Sequence, residues 1–193
     1  MTLNCYKSCK LIRLIRQFFS ASRAGERGLA MIEFALVLPV LVMLFLGLVE
    51  FGEAYSASRK VTFAASTVSD LVAQMRSVTD TDLTDIALVA DELIKPYRTS
   101  NFGVVITSVV ADSENNTTVG WSFARGSGAT AKTDGALVTL PAGLTEPGSS
   151  IIMVETFYEF TPSVGLFLLD TRTLTGKAYY RPRRTKVISR EAS

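Results

Sequence analysis

The chain has 193 residues, of which 48% are hydrophobic and 20% charged, and its formal net charge is +2. This composition excludes a disordered polyelectrolyte. The complete absence of histidine excludes serine–histidine nucleophile pairs, histidine general bases and histidine-containing zinc sites. The two cysteines, Cys5 and Cys9, both lie near the start, so no disulfide framework is expected in the main body.

The charge is unevenly distributed along the chain. Residues 1–28 carry six basic groups and one acid, residues 29–180 carry nine basic and sixteen acidic groups, and residues 181–193 carry five basic groups and one acid. A nucleic-acid-binding protein would show a basic face on its folded part, whereas the central segment here is acidic. We therefore expect no nucleic-acid partner and interpret residues 1–28 as a basic leader. Cys5 and Cys9 within it are interpreted as inert thiols or as sites of lipid modification.

The apolar run 29–49 contains a single charged residue, Glu33. As a helix it would span about 30 Å, the hydrocarbon thickness of a bilayer, and Pro39 is expected to introduce a mild kink. Because the basic leader directly precedes the run, the positive-inside rule predicts that the N-terminus stays in the cytoplasm and that everything after about residue 52 crosses the membrane. The alternative is a secretory signal removed after the run, with the small residues 54–57 as its cleavage site.

The start of this run combines a glycine, Gly28, with an acid on the fifth residue after it. If the chain is cut after Gly28, Leu29 acquires a free α-ammonium group that could pair with Glu33 of the same or a neighbouring helix. Such a pair would set the axial register between subunits. The alternative reading is that Glu33 only extends its carboxylate to the cytoplasmic interface.

Several motifs here are characteristic of one family. Gly28 followed by Glu33 and Phe34 resembles the cleavage site of type IV pilin-like precursors in the form used by tight-adherence (Flp/Tad) pili. The longer string, from Met31-Ile32-Glu33-Phe34-Ala35-Leu36-Val37-Leu38-Pro39 through 47–52, resembles the TadE/TadG-like family of minor pseudopilins. Residues 158–162 and 178–183 are similar to the closing segment of such proteins. The length of the chain favours the short TadE-like type.

This resemblance implies cleavage by a prepilin peptidase between Gly28 and Leu29. It also implies a structural, non-enzymatic role in assembling or priming the pilus that bacteria use for surface attachment. The implied location is the bacterial inner membrane, with a single span and the C-terminal domain in the periplasm. The implied partners are the prepilin peptidase, other pilus subunits, the inner-membrane assembly machinery and membrane lipid. No catalytic residue, cofactor, metal or small-molecule substrate is expected.

Beyond the apolar run, spacings of three and four predict an amphipathic helical stem from about residue 50 to 76. Its predicted stripe includes Phe51, Tyr55, Val61, Thr62 and Val68. Thr79 to Asp82 supply N-capping chemistry for a second helix, which Pro96 ends. The apolar stripe of this second helix comprises Leu83, Ile86, Ala87, Ala90, Leu93 and Ile94.

After Pro96 the pattern becomes that of β-strands. Strands are predicted at 104–111, 117–125, 136–140, 151–160 and 174–180, with a turn at 112–116 between the first two. In the fourth, Ile152, Val154 and Tyr158 share one face, while Glu155 and Glu159 fall on the opposite, solvated face. The predicted class is α+β: a long N-terminal transmembrane and stem helix followed by a small antiparallel sheet, pilin-like in plan.

The predicted organisation is a leader at 1–28, a transmembrane helix at 29–52, a helical stem and second helix at 53–97, and a β head at 98–193. Two motifs are set aside. The loop 126–131 formally matches a dinucleotide fingerprint but opens no apolar helix, and Glu155 with Glu159 gives no sign of a glycosidase cleft. The basic tail 181–190 is interpreted as a solvated end. The rival functional hypothesis is a membrane-anchored periplasmic binding module that is neither cleaved nor polymerised.

Overall fold

The computed structural model describes residues 26–141, 143–162 and 170–191. The chain divides into two compact units, Met1–Val49 and Glu50–Ser193. Most of the basic leader, including Cys5 and Cys9, lies outside the described residues. The predicted class is confirmed: a long apolar N-terminal helix is followed by a small antiparallel sheet in a mixed α+β fold.

Helix α1 spans Glu26–Ala73 and includes Pro39. From residue 57 onward one stripe is completely buried, because small side chains at spacings of three and four let the helix approach the sheet closely. The prediction was wrong for Phe51, Tyr55 and Thr62, which lie on the exposed side. Residues three or four apart form more than one row on so long a helix, and the sheet covers the row of smaller residues: Ala57, Val61, Ala64, Ala65, Val68 and Val72.

The predicted second helix is confirmed as α2, Asp80–Ile94. The Thr79 hydroxyl accepts a hydrogen bond from the Asp82 amide, and the Asp82 carboxylate accepts one from the Thr79 amide, forming a capping box. The hydrogen bonds from Thr79 lower the pKa of Asp82. The helix ends at Ile94, two residues before Pro96, and its predicted stripe is buried except for the half-buried Leu93.

The main sheet has four strands: β2 Phe102–Ala111, β3 Thr117–Gly126, β4 Ser150–Phe160 and β5 Arg172–Tyr180. They pair in the antiparallel sense, in the order β3-β2-β4-β5. A bulge interrupts the β2–β3 pairing, where Ser108 pairs with Trp121 and Val109 pairs with Val119, so that Gly120 has no partner across the pair. A short 3₁₀ turn, Thr99–Asn101, leads into the first strand.

The main core lies between one face of this sheet and the helical residues from 50 to 94. Two side-chain hydrogen bonds join helix and sheet across it: Thr156 Oγ1 donates to the Val61 carbonyl at 3.0 Å, and Ser69 Oγ donates to the Ile152 carbonyl at 3.2 Å. The predicted inward face of β4 is confirmed by the burial of Ile152, Val154, Thr156, Tyr158 and Phe160.

The third predicted strand, 136–140, is not a strand. Thr118 and Leu137 form a single antiparallel bridge, and hydrogen bonds join Val119 N to the Ala136 carbonyl and Val138 N to the Thr117 carbonyl. The segment runs along the outer edge of β3 before Pro141, which has no amide hydrogen to extend the ladder. Side chains of this irregular region cover the second face of the sheet, where Val138, Leu140 and Leu144 pack against Val109, Ile151 and Met153.

The prediction that Glu155 lies on a solvated face was wrong. Its side chain is buried, and its carboxylate forms salt bridges with Lys132 Nζ at 2.7 Å and with Lys177 Nζ at 2.6 Å. Burial alone would raise the pKa of Glu155, but the two lysine hydrogen bonds outweigh it and hold the pKa below its usual range. Sequence alternation placed Glu155 on the correct face; it could not show that the loop containing Lys132 covers that face.

The basic tail is not a solvated end either. Ile188 is completely buried in the main core, and its carbonyl accepts a 2.8 Å hydrogen bond from Trp121 Nε1. Residues 189–190 form a short strand, β6, that pairs in parallel with β1, Ser77–Val78. We call residues 187–191 the C-terminal strap. Arg190 anchors it through a 2.7 Å hydrogen bond from its Nε to Asp80, and this pairing lowers the pKa of Asp80.

Candidate processing and assembly site

The proposed scissile bond, Gly28–Leu29, lies in the first turn of α1. The helix begins at Glu26, so Gly28 is its third residue. The first four amides of a helix have no carbonyl partner within the helix, and a glycine at this point lowers helix stability further. The first turn can therefore unwind at small cost, and Leu29, whose side chain is 70% exposed, is accessible.

Leu29 and Glu33 are four residues apart in α1 and therefore lie on adjacent turns of one face. Their α-carbons are separated by about 6 Å along the helix axis. The Glu33 side chain is exposed. A helix beginning at Leu29 would carry a new ammonium group one turn away from this carboxylate, close enough for the two opposite charges to attract each other.

The apolar residues after Glu33 have no protein cover in the described chain. The helix from Gly28 is long and apolar enough to cross a membrane, and none of its most apolar window is buried. Large side chains such as Leu36, Phe45 and Leu48 are each more than 60% exposed. Pro39 lies within this helical segment. One such helix at the N-terminus is consistent with a single-pass membrane anchor.

Two features near the end of the apolar run were not predicted from the sequence. Glu50 is buried, with only 2% of its surface exposed. Phe51 and Tyr55 stack on each other on the exposed side of α1, with ring centroids 6.4 Å apart. The i, i+4 spacing was a sufficient signal for the aromatic pair, whereas nothing local indicated that Glu50 is covered.

One known protein family matches part of this chain. Residues 28–70 match the model of the TadE-like protein family. The predicted resemblance to the TadE-like family is thereby confirmed over this segment. The TadE-like match begins at Gly28 and contains Leu29, Glu33 and Pro39. No curated protein and no solved structure matches the chain significantly.

The TadE-like family is structural rather than enzymatic, and the match supports involvement in tight-adherence pilus assembly. Within the described residues, no group of three or more potential ligands could hold a metal ion. The loop after β3 does not lead into a helix, because residues 129–135 form none, so it lacks the strand-to-helix arrangement of a dinucleotide fingerprint. Gly126 there has φ +91°, and a β-carbon at this position would lie 2.2 Å from the Phe102 carbonyl oxygen, so the glycine serves the turn.

Proposed function

We propose that this chain is a minor pseudopilin of a tight-adherence pilus, cleaved by prepilin peptidase after Gly28 and acting structurally in pilus biogenesis and surface attachment. The observation that carries the proposal is the TadE-like match, which begins at Gly28 and includes the acid at position 33. The accessible first turn of α1 supports cleavage, because a peptidase binds its substrate as an extended chain.

In this proposal α1 holds the protein in the inner membrane with residues 29–52 as the span. The leader stays in the cytoplasm, because its basic residues precede the span, and the head formed by the later residues folds in the periplasm. The lack of cysteine after residue 9 is compatible with this location, since the head needs no disulfide for its core. Other pilus subunits and the inner-membrane assembly machinery are the proposed partners.

The proposed role of Glu33 is to set subunit register. Removal of the leader would leave Leu29 with an ammonium group at the edge of the hydrocarbon layer. A carboxylate on the adjacent turn of the same or a neighbouring helix would compensate that charge, and a mismatched register would leave both groups unpaired in a poorly solvating medium.

The direct test is N-terminal sequencing of the protein recovered from cells with an active prepilin peptidase. The expected sequence is Leu29-Ala30-Met31, and cells without the peptidase should yield the intact leader. Recovery of the intact leader from both strains would remove the processing proposal and leave an anchored periplasmic module as the better description.

A matched pair of variants separates loss of processing from loss of folding. Gly28→Val is expected to block cleavage, because the family resemblance implies cleavage after glycine. Gly52→Val makes the same substitution in the same helix, where the structure has nothing within 4 Å of a built β-carbon. It should leave cleavage unchanged. Equal processing of the two variants would contradict the assigned cleavage site.

A further inference from the structure

A groove lies beneath the C-terminal strap, at the far end of the head sheet from Phe160. Its volume is about 560 Å³, within the ~300–1,000 Å³ range of ligand clefts. The strap forms one wall, and β2 and β3 form the floor through Ser108, Val110 and Trp121. Neither the TadE-like match, which ends at residue 70, nor the proposed pilus role assigns a function to this groove.

The floor of the groove contains an unsatisfied polar group. Ser108 is completely buried, and its hydroxyl has no hydrogen-bond partner among the residues that the structure describes. A buried hydroxyl without a partner costs free energy, which a ligand hydrogen bond would recover. Gly120 keeps the floor open beside it, because a β-carbon there would lie 2.9 Å from Val110 Cγ2.

The charges of the groove favour a cation. Asp80, Asp134 and Glu191 line it, against one basic residue, Arg190. The Arg190 guanidinium is already engaged, with Nε bound to Asp80 and a terminal nitrogen 3.1 Å from the Ser122 carbonyl. Asp134 also attracts Arg190 through space, but three acids face a single basic residue, so the groove keeps an excess of negative charge near Asp134 and Glu191. A bare metal ion is a poor candidate, because no sufficient ligand cluster occurs in the described chain.

The groove also has an apolar part. Val187 of the strap lines it together with Val110 and Trp121. The strap is fixed in place by burial of Ile188 and by a 2.9 Å hydrogen bond from the Glu191 amide to the Val78 carbonyl. A preformed cleft of this kind suits a ligand with an aliphatic portion and a charged end, because the protein loses little conformational entropy when the ligand binds.

From these observations we propose that the groove binds a primary ammonium group carried on an aliphatic stem, as in a lysine side chain or a free diamine. The stem contacts the apolar part of the groove, the ammonium group lies near Asp134 and Glu191, and the Ser108 hydroxyl supplies a hydrogen-bond acceptor. The proposal concerns residues outside the processing site and does not depend on cleavage of the chain.

The test uses the full chain in zwitterionic detergent micelles and follows the indole N–H signal of Trp121, the one tryptophan in the sequence. The probes are Nα-acetyl-lysine N-methylamide, 1,5-diaminopentane and the uncharged Nα-acetyl-norleucine N-methylamide. A saturable shift with the lysine probe, the diamine or both, absent with the norleucine probe, supports the proposal and identifies the source of the ammonium group. No saturable shift with either amine overturns it.

Variants locate the binding. Asp134→Asn with Glu191→Gln should weaken amine binding roughly five- to tenfold at low salt, because two exposed charge interactions are lost. The control is Glu114→Gln with Asp170→Asn, which removes the same charge from exposed positions that do not line the groove. An otherwise unchanged amide spectrum shows that the head of each variant is folded. Equal affinities of the two double variants would overturn the assignment to this groove.

Discussion

Gly176 of β5 lies against the backbone of α1 at Thr62. A β-carbon built on Gly176 would lie 2.9 Å from the Thr62 α-carbon, 2.9 Å from the Val61 carbonyl oxygen and 2.6 Å from Thr156 Oγ1. The first two neighbours are backbone atoms that cannot rotate away. The hydrogen bond from Thr156 to the Val61 carbonyl holds the helix at this distance, so any side chain at position 176 must push α1 from the sheet.

We therefore expect Gly176→Ala to destabilise the head by about 1–3 kcal/mol, the usual cost of overpacking a core. Unfolding in urea, followed by Trp121 fluorescence, measures this. Gly52→Ala is the control, because its built β-carbon has open space, and it should be neutral or stabilising by up to ~1 kcal/mol through helix propensity. Equal stability of the Gly176→Ala variant and the unmodified chain would contradict the close-packing argument.

Glu155 should make the stability of the head depend on pH. Its pKa is held low in the folded state by Lys132 and Lys177, despite its burial. A group with a lowered folded-state pKa stabilises the fold above its unfolded-state pKa, and this contribution is lost as the pH falls through the folded-state value. Glu155→Gln should therefore be clearly less stable than the unmodified chain at pH 7, and the difference should shrink in acid.

The measurement is urea unfolding of both proteins from pH 7 down to pH 3. Glu159→Gln is the control, because Glu159 is exposed on the same strand and face. Asp80 and Asp82 also have lowered pKa values, so every variant should lose stability in acid. Only the difference in unfolding free energy between Glu155→Gln and the other two proteins tests the lysine-paired carboxylate. A difference that does not change with pH would contradict this prediction.

The C-terminal strap should contribute to the stability of the core rather than behave as a solvated end. Ile188→Ala removes a completely buried side chain and should cost about 2–5 kcal/mol. Val187→Ala alters the neighbouring residue, which is 40% exposed, and should change stability by less than about 0.5 kcal/mol. Trp121 emission should shift to longer wavelength in the first variant alone, since its indole hydrogen bond is to the Ile188 carbonyl. Similar effects of both substitutions would show that the strap is not packed.

The carboxylate at Glu33 can be tested separately from processing. Glu33→Gln should still be cleaved after Gly28, but the amount of assembled pilus should fall about tenfold or more, equivalent to ~1.4 kcal/mol of lost interaction. Glu33→Asp keeps the charge on a shorter side chain and should retain part of the assembly. Quantifying sheared pili and membrane-retained protein distinguishes these outcomes. Normal assembly in both variants would mean that Glu33 only reaches the interface.

The periodic parts of the fold were predictable because each is determined by residues close together in sequence. The stripe of α2, its cap at Thr79 and the inward face of β4 all follow from spacings of two, three or four. The candidate processing residues were found in the same way, since Gly28, Leu29 and Glu33 form one short string. Local patterns failed where one helix carried two rows, as for Tyr55 on the exposed side of α1. They also failed at residues 136–140, where a strand-like pattern forms a single bridge instead of a strand.

The contacts between distant segments were not predictable by these means. Glu155 is buried because Lys132, 23 positions away in an irregular loop, reaches across the sheet face to it. The strap docks through two-residue strands, β1 and β6, which are too short to show a period. The basic composition of residues 181–190 indicated solvent exposure, whereas Asp70 and Asp80 supply partners for Arg183 and Arg190. Charge alone does not show which acids the fold brings near.

The bridged segment beside β3 has a consequence for self-association. Residues 136–138 occupy hydrogen-bonding groups on one rim of the sheet, which a foreign strand would otherwise use. On the other rim, β5 has no second strand alongside it within the described residues. A foreign strand would therefore meet backbone groups that are already bonded along residues 117–119 of β3, whereas the outer edge of β5 leaves its backbone groups open to such pairing.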